Sequence, residues 1–135
     1  MYWPQRITDV IVGMGLTPIG FVFAYMVVLL VLGMFVDGIA MILLTVPVIF
    51  PVAYAMKIDP VALGIMIVLN VEMGVVTPPV GLNLFAVSGT SRISLPEVIK
   101  GTIPFFIGDG VVLLLVIFFP GLATWLPDQL VKSVF

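Results

Sequence analysis

Asn70-Val71-Glu72-Met73-Gly74-Val75-Val76-Thr77-Pro78-Pro79-Val80-Gly81-Leu82-Asn83 is the stretch on which the fold turns. It lies inside an apolar run from Val61 to about Ser91, too long for one ordinary membrane span. Two consecutive prolines donate no backbone hydrogen bond, and each clashes with the preceding helical turn. Pro78 also pushes Thr77 out of the helical region. With Gly74 and Gly81 on either side, the spacing predicts a helix that unwinds for about one turn and then resumes. In lipid an unpaired carbonyl costs several kcal/mol, so such a break survives only inside protein or beside a polar cavity. Many secondary transporters build ion and substrate sites from discontinuous helices of this kind. Freed carbonyls hold the cation, and half-helix amino termini face the anion.

The rest of the sequence supplies the solvent that this reading needs. Of 135 residues, 62% are hydrophobic and 9% charged, with a mean hydropathy of +1.36. A soluble fold this small would lack the polar surface to cover itself. The fold class expected is an all-α membrane protein in a lipid bilayer. A net charge of −2 with no basic run gives nucleic acid no phosphate contacts. Without Cys or His there are no disulfides, thiolate nucleophiles or histidine-based triads, and no nucleophile–base pair suggests an enzyme. Met1–Asp9 carries Trp3, Pro4, Arg6 and Asp9 ahead of a long apolar stretch, which does not read as a cleaved signal peptide.

Charges and prolines punctuate the chain into a single membrane-embedded unit, residues 1–135. Pro4–Met14 reads as an amphipathic segment. No charge falls between Asp9 and Asp37, and Ile19–Val36 reads as a helix. Gly33–Gly38 interrupts, and Ile39–Met56 follows with Pro47 and Pro51, where a kink or local irregularity is expected. Together 19–56 form either a re-entrant helical hairpin or two full spans, and in both cases the ends emerge on one side. Lys57–Pro60 is a polar turn into the broken helix at 61–90. Ser94 and Glu97 have capping-box spacing for a short surface helix with Pro96 early in it. The last span is expected at 102–119, with Trp125 as an interfacial anchor beyond Pro120-Gly121. Arg92 and Lys100 dominate the charge asymmetry, so the 90–100 loop is expected in the cytoplasm.

Four polar residues bear on function. Asn70 and Asn83 either hydrogen-bond neighbouring helices or help to close a site. Glu72 is an intramembrane acid, functional or paired with a basic group on another helix. Asp37, between Gly33 and Gly38, is either an exposed turn residue or a hairpin tip lying opposite the Thr-Pro-Pro break.

These residues carry a resemblance. The blocks LGMFVDGIAMILLTVPVIFPV (32–52), KIDPVALGIMIVLNVEMGVVTPPVGLNLFAVSG (57–89), SLPEVIKGTIPFF (94–106) and FFPGLATWLP (118–127) resemble, in that order, the DctM-like large permease subunit of tripartite ATP-independent periplasmic (TRAP) transporters. The resemblance implies an inverted-repeat transporter of the bacterial inner membrane, each half a re-entrant hairpin followed by a broken helix. This chain matches the carboxy-terminal half. The family couples sodium entry to uptake of an organic acid such as a C4-dicarboxylate, by elevator-like movement.

The partners implied are the amino-terminal half of the permease, a small membrane subunit and a periplasmic substrate-binding protein. Sodium is the coupling ion, and no other cofactor is expected. Gly74, Thr77 and Gly81 are the expected sodium ligands through carbonyls and a hydroxyl, which suit a hard cation. Substrate contact is expected from amide groups over Pro79–Asn83, including Pro79, Val80 and Asn83, with Asp37 and Asn70 closing the site. Two rivals remain at this point. One is a permease of a related ion-transporter superfamily with another substrate. The other is an accessory membrane subunit with no site of its own.

Overall fold

The structure is a computed structural model that describes residues 3–134; Met1, Tyr2 and Phe135 lie outside the described residues. It contains seven helices among those residues and no strand: α1 (Trp3–Gly13), α2 (Pro18–Gly33), α3 (Gly38–Ala55), α4 (Pro60–Val75), α5 (Leu82–Ser91), α6 (Leu95–Phe118) and α7 (Gly121–Val134).

The starts of the three central helices are written locally. Thr17 Oγ1 accepts the Gly20 N–H at 3.2 Å, with Pro18 opening α2. Asp37 Oδ2 accepts the Ile39 and Ala40 N–H groups at 3.0 and 3.3 Å and so caps α3. Asp59 Oδ1 does the same for α4, from Val61 at 2.9 Å and Ala62 at 3.0 Å, with Pro60 in the first turn. Each cap satisfies donors that the helix itself leaves free.

Helix α4 is the axis of the fold. Ala62, Leu63, Met66, Ile67 and Val71 are buried along it. They pack with Phe21, Val22, Tyr25, Met26 and Leu29 of α2, Met41 and Val52 of α3, and Leu113, Val116 and Ile117 of α6. The outward faces are as apolar as this core: Phe23, Val27, Leu43, Leu44, Phe105 and Ile107 are exposed. Only a bilayer makes that arrangement favourable, because lipid accepts what water rejects. Helices α3 and α6 are long and apolar enough to cross a membrane, whereas α2 and α4 are shorter, at 16 residues each.

Helices α4 and α6 run antiparallel. Met66 lines one depression with Ile117, Met73 approaches Gly110, and Thr77 lines another depression with Phe106. The 24 residues of α6 rise about 36 Å, so α4 stops beside the middle of α6. Pro18, Lys57, Asp59, Ile117 and Pro120 share the first depression, which puts both ends of the α2–α3 pair at one end of the molecule. Arg92 and Lys100 lie toward the other end of α6.

Two expectations are corrected. Residues 94–100 do not form a separate surface helix ahead of a span at 102–119. One helix, α6, runs from Leu95 to Phe118 through Gly101 and Pro104. A lone proline removes one N–H and leaves the turns on either side to hold the helix. The capping box is also unmade: Ser94 sits at the cap position, but its side chain makes no cap bond. Its carbonyl instead accepts from the Glu97 and Val98 N–H groups, both at 3.1 Å. Helix α3 is assigned as one helix through Pro47 and Pro51.

Candidate ion and substrate site

The interruption between α4 and α5 spans 76–81. At its start the Val76 and Thr77 N–H groups both turn back to the Gly74 carbonyl, the latter at 3.0 Å. Pro78 and Pro79 have no N–H to offer. Gly81 adopts φ +52° and ψ 73°, the left-handed conformation that aims the chain into α5. Its carbonyl accepts the Leu84 N–H at 2.8 Å. Residues 78–80 form a turn, and among the described residues no backbone N–H reaches the carbonyls from Val75 to Val80 with good hydrogen-bond geometry. The amino terminus of α5 likewise has no side-chain cap. A short segment thus offers unpaired acceptors and, directly after them, unpaired donors.

The turn between α2 and α3 lies against the two helix ends that flank this segment. A groove of about 320 Å³ is lined by Asp37 and Gly38 from the turn, by Glu72 and Val75 from the end of α4, and by Asn83 from α5. Asp37, Glu72 and Asn83, all exposed, therefore line one groove. The capping role of Asp37 uses Oδ2, and no hydrogen bond to Oδ1 is found among the described residues.

The other sequence-predicted site residues are placed elsewhere. Thr77 and Pro78 line a separate, almost wholly apolar cleft against Thr102 and Phe106 of α6. The Thr77 hydroxyl donates to the Met73 carbonyl, which leaves its oxygen able to accept. Asn70 is only 2% exposed and sits in the α2–α4 contact, where Nδ2 donates to the Met26 carbonyl at 2.9 Å. Its Oδ1 is buried without a partner among the described residues. Gly74 is buried against Gly33, and its carbonyl already accepts two N–H groups. Pro79 is exposed and Val80 half-buried.

One acid was not singled out from the sequence. Asp109 stands in the middle of α6, half-buried, with no hydrogen bond or ion pair among the described residues. Its signal was legible, since it is the only charged residue between Lys100 and Asp128.

The sequence model of the tripartite ATP-independent periplasmic transporter, DctM component, matches residues 2–122. The chain belongs to the DctM family. Among its relatives, the C4-dicarboxylate TRAP transporter large permease protein DctM of Vibrio cholerae is 42% identical over 94% of this chain and 28% of the relative. The Pseudomonas aeruginosa protein of the same name is 39% identical over 96% of this chain and 30% of its own length. The sialic acid TRAP transporter permease protein SiaT of Haemophilus influenzae is 36% identical over 94% and 21%. The chain thus spans less than a third of each of these DctM-family relatives. They are membrane permease subunits of transporters, not enzymes.

Proposed function

We propose that this chain forms one half of the ion and substrate site of a sodium-coupled permease for organic acids in the bacterial inner membrane. The observation that carries the reading is the row of carbonyls from Val75 to Val80 without backbone donors of hydrogen-bond geometry, flanked by Val75 and Asn83, which share a groove with the Asp37 turn. Carbonyl oxygens with a threonine hydroxyl are the ligands a hard, weakly polarising cation prefers, and they bind it without burying net negative charge. Because the Gly74 carbonyl already accepts the Thr77 N–H and the Gly81 carbonyl the Leu84 N–H, the ligand row is confined to Val75–Val80, with Thr77 in it. The uncapped start of α5, at Leu82 and Asn83, offers N–H groups and a positive dipole end to a carboxylate. The names of the relatives speak of C4-dicarboxylates and sialic acid, both carboxylic acids.

The length of α2 supports a hairpin form for α2–α3. Sixteen residues of α2 rise about 24 Å, short of the hydrocarbon thickness of about 30 Å. Its tip meets α4 near the middle of α6 rather than at an end. That suits a re-entrant hairpin in one half of an inverted repeat. The rest of the permease, a small membrane subunit and a periplasmic binding protein complete the transporter.

Thr77→Val tests this in a complete permease reconstituted in liposomes. The substitution keeps the branched shape and removes only the hydroxyl oxygen. The half-saturating sodium concentration should rise several-fold while the amount of inserted protein is unchanged. Unaltered sodium dependence would remove Thr77 from the site.

A further inference from the structure

Two glycines bring the end of α2 and the end of α4 together backbone to backbone. A Cβ built on Gly33, the last residue of α2, would lie 2.9 Å from Gly74 Cα. One built on Gly74 would lie 2.8 Å from Gly33 Cα and 3.1 Å from its carbonyl carbon. The obstacle in each case is backbone, which cannot swing away as a side chain can. Two neighbouring contacts belong to the same seam. A Cβ on Gly38 would lie 2.7 Å from Val71 Cγ1, and one turn below Gly74 the Asn70 amide grips the Met26 carbonyl. By contrast a Cβ on Gly64, in the same helix α4, meets nothing within 4 Å.

We infer that Gly33 and Gly74 are positioning residues: their backbone-to-backbone contact sets the distance between the Asp37 turn and the freed carbonyls across the groove. The inference rests on the proposed ion site and assigns Gly74 a steric part in it rather than a ligand's. Tight helix crossings in membranes use small residues for this purpose, since packing rather than water exclusion holds the helices. A methyl group at either position forces the helices apart by about half an ångström before ordinary carbon–carbon contact is restored. Ligand distances around a hard cation tolerate only a few tenths of an ångström.

The test uses Gly33→Ala, Gly74→Ala, the double variant and Gly64→Ala in a complete permease, with Thr77→Val alongside. Sodium half-saturation is measured in liposomes, and thermal unfolding is followed on the same preparations. Gly33→Ala and Gly74→Ala should each raise the half-saturating sodium concentration about tenfold, the scale on which support around a metal site acts. The double variant should add little to either, because one methyl already opens the contact. Gly64→Ala should match the parent in sodium dependence and unfold at the same or a slightly higher temperature. The inference is overturned if Gly33→Ala leaves sodium dependence intact while Thr77→Val weakens it. It is overturned equally if the glycine variants only lower the unfolding temperature, or if their effects add. Unchanged sodium dependence in Thr77→Val together with a shift in both glycine variants would instead displace the hydroxyl from the site and leave the positioning contact standing.

Discussion

Helix α3 and the α4–α5 pair each contain two prolines in an apolar setting, yet one is continuous and the other is broken. In α3, Pro47 and Pro51 are four residues apart. Each removes one N–H, so the Leu43 and Pro47 carbonyls lose their donors, but the residues between them still make helical bonds. Both prolines lie on one exposed face. In the other segment the prolines are adjacent. Thr77 and Pro78 each precede a proline, so two consecutive residues are driven from helical geometry and no helical neighbour separates them. Gly81 then turns left-handed and starts a new helix. The number of prolines is the same; their spacing decides whether carbonyls are lost singly or as a row.

The comparison is broken most directly by Pro78→Ala combined with Pro79→Ala. Removing two interior prolines lifts penalties of about 3 kcal/mol each on the host–guest scale, and the freed carbonyls would return to helical bonds. Sodium-dependent uptake by a complete permease carrying the pair should fall by about tenfold or more, with normal insertion. Retained coupling would make the break a kink of the same kind as α3.

Gly81→Ala comes next. At φ +52° an L side chain is strained by about 1–2 kcal/mol, and its Cβ would lie 2.8 Å from Leu84 Cδ1 and 3.1 Å from the Thr77 carbonyl oxygen. Thermal unfolding in detergent should show a loss of that order together with weaker uptake. A neutral result would mean that α5 can start without the left-handed turn.

The smallest effect, with the opposite sign, belongs to Pro47→Ala. It gives the Leu43 carbonyl a donor without disturbing a site, so stability should rise by less than the full host–guest value of about 3 kcal/mol and sodium dependence should not move. A change in sodium dependence would place α3 in the coupling machinery and erase the contrast.

Much of the fold was legible because its signals are local. The break, the Asp37 and Asp59 caps and the turn at 57–59 depend on residues within a few positions of one another. So does the bilayer as solvent, through composition alone. The short helix expected at 94–100 failed for a related reason. Ser94, Pro96 and Glu97 do mark a helix start, but nothing in their chemistry says how far that helix runs, and α6 continues through Pro104 to Phe118. Asn70 shows the limit on the functional side. Its type and its place near the break suggested a ligand or an interhelical bond equally well, and only the position of the Met26 carbonyl, 44 residues away, gives its amide a partner.

By itself, then, the sequence determined that the chain is built for lipid, where most of its helices begin, and that the helix breaks at Thr77-Pro78-Pro79, because steric exclusion by proline acts on the nearest residues. Only the tertiary structure decided that Asp37, Glu72 and Asn83 share a groove while Thr77 lines another cleft, and that Gly33 meets Gly74. Those facts depend on how α2 crosses α4. A crossing is fixed by the fit of two whole helix surfaces, down to the absence of a methyl group at one point on each.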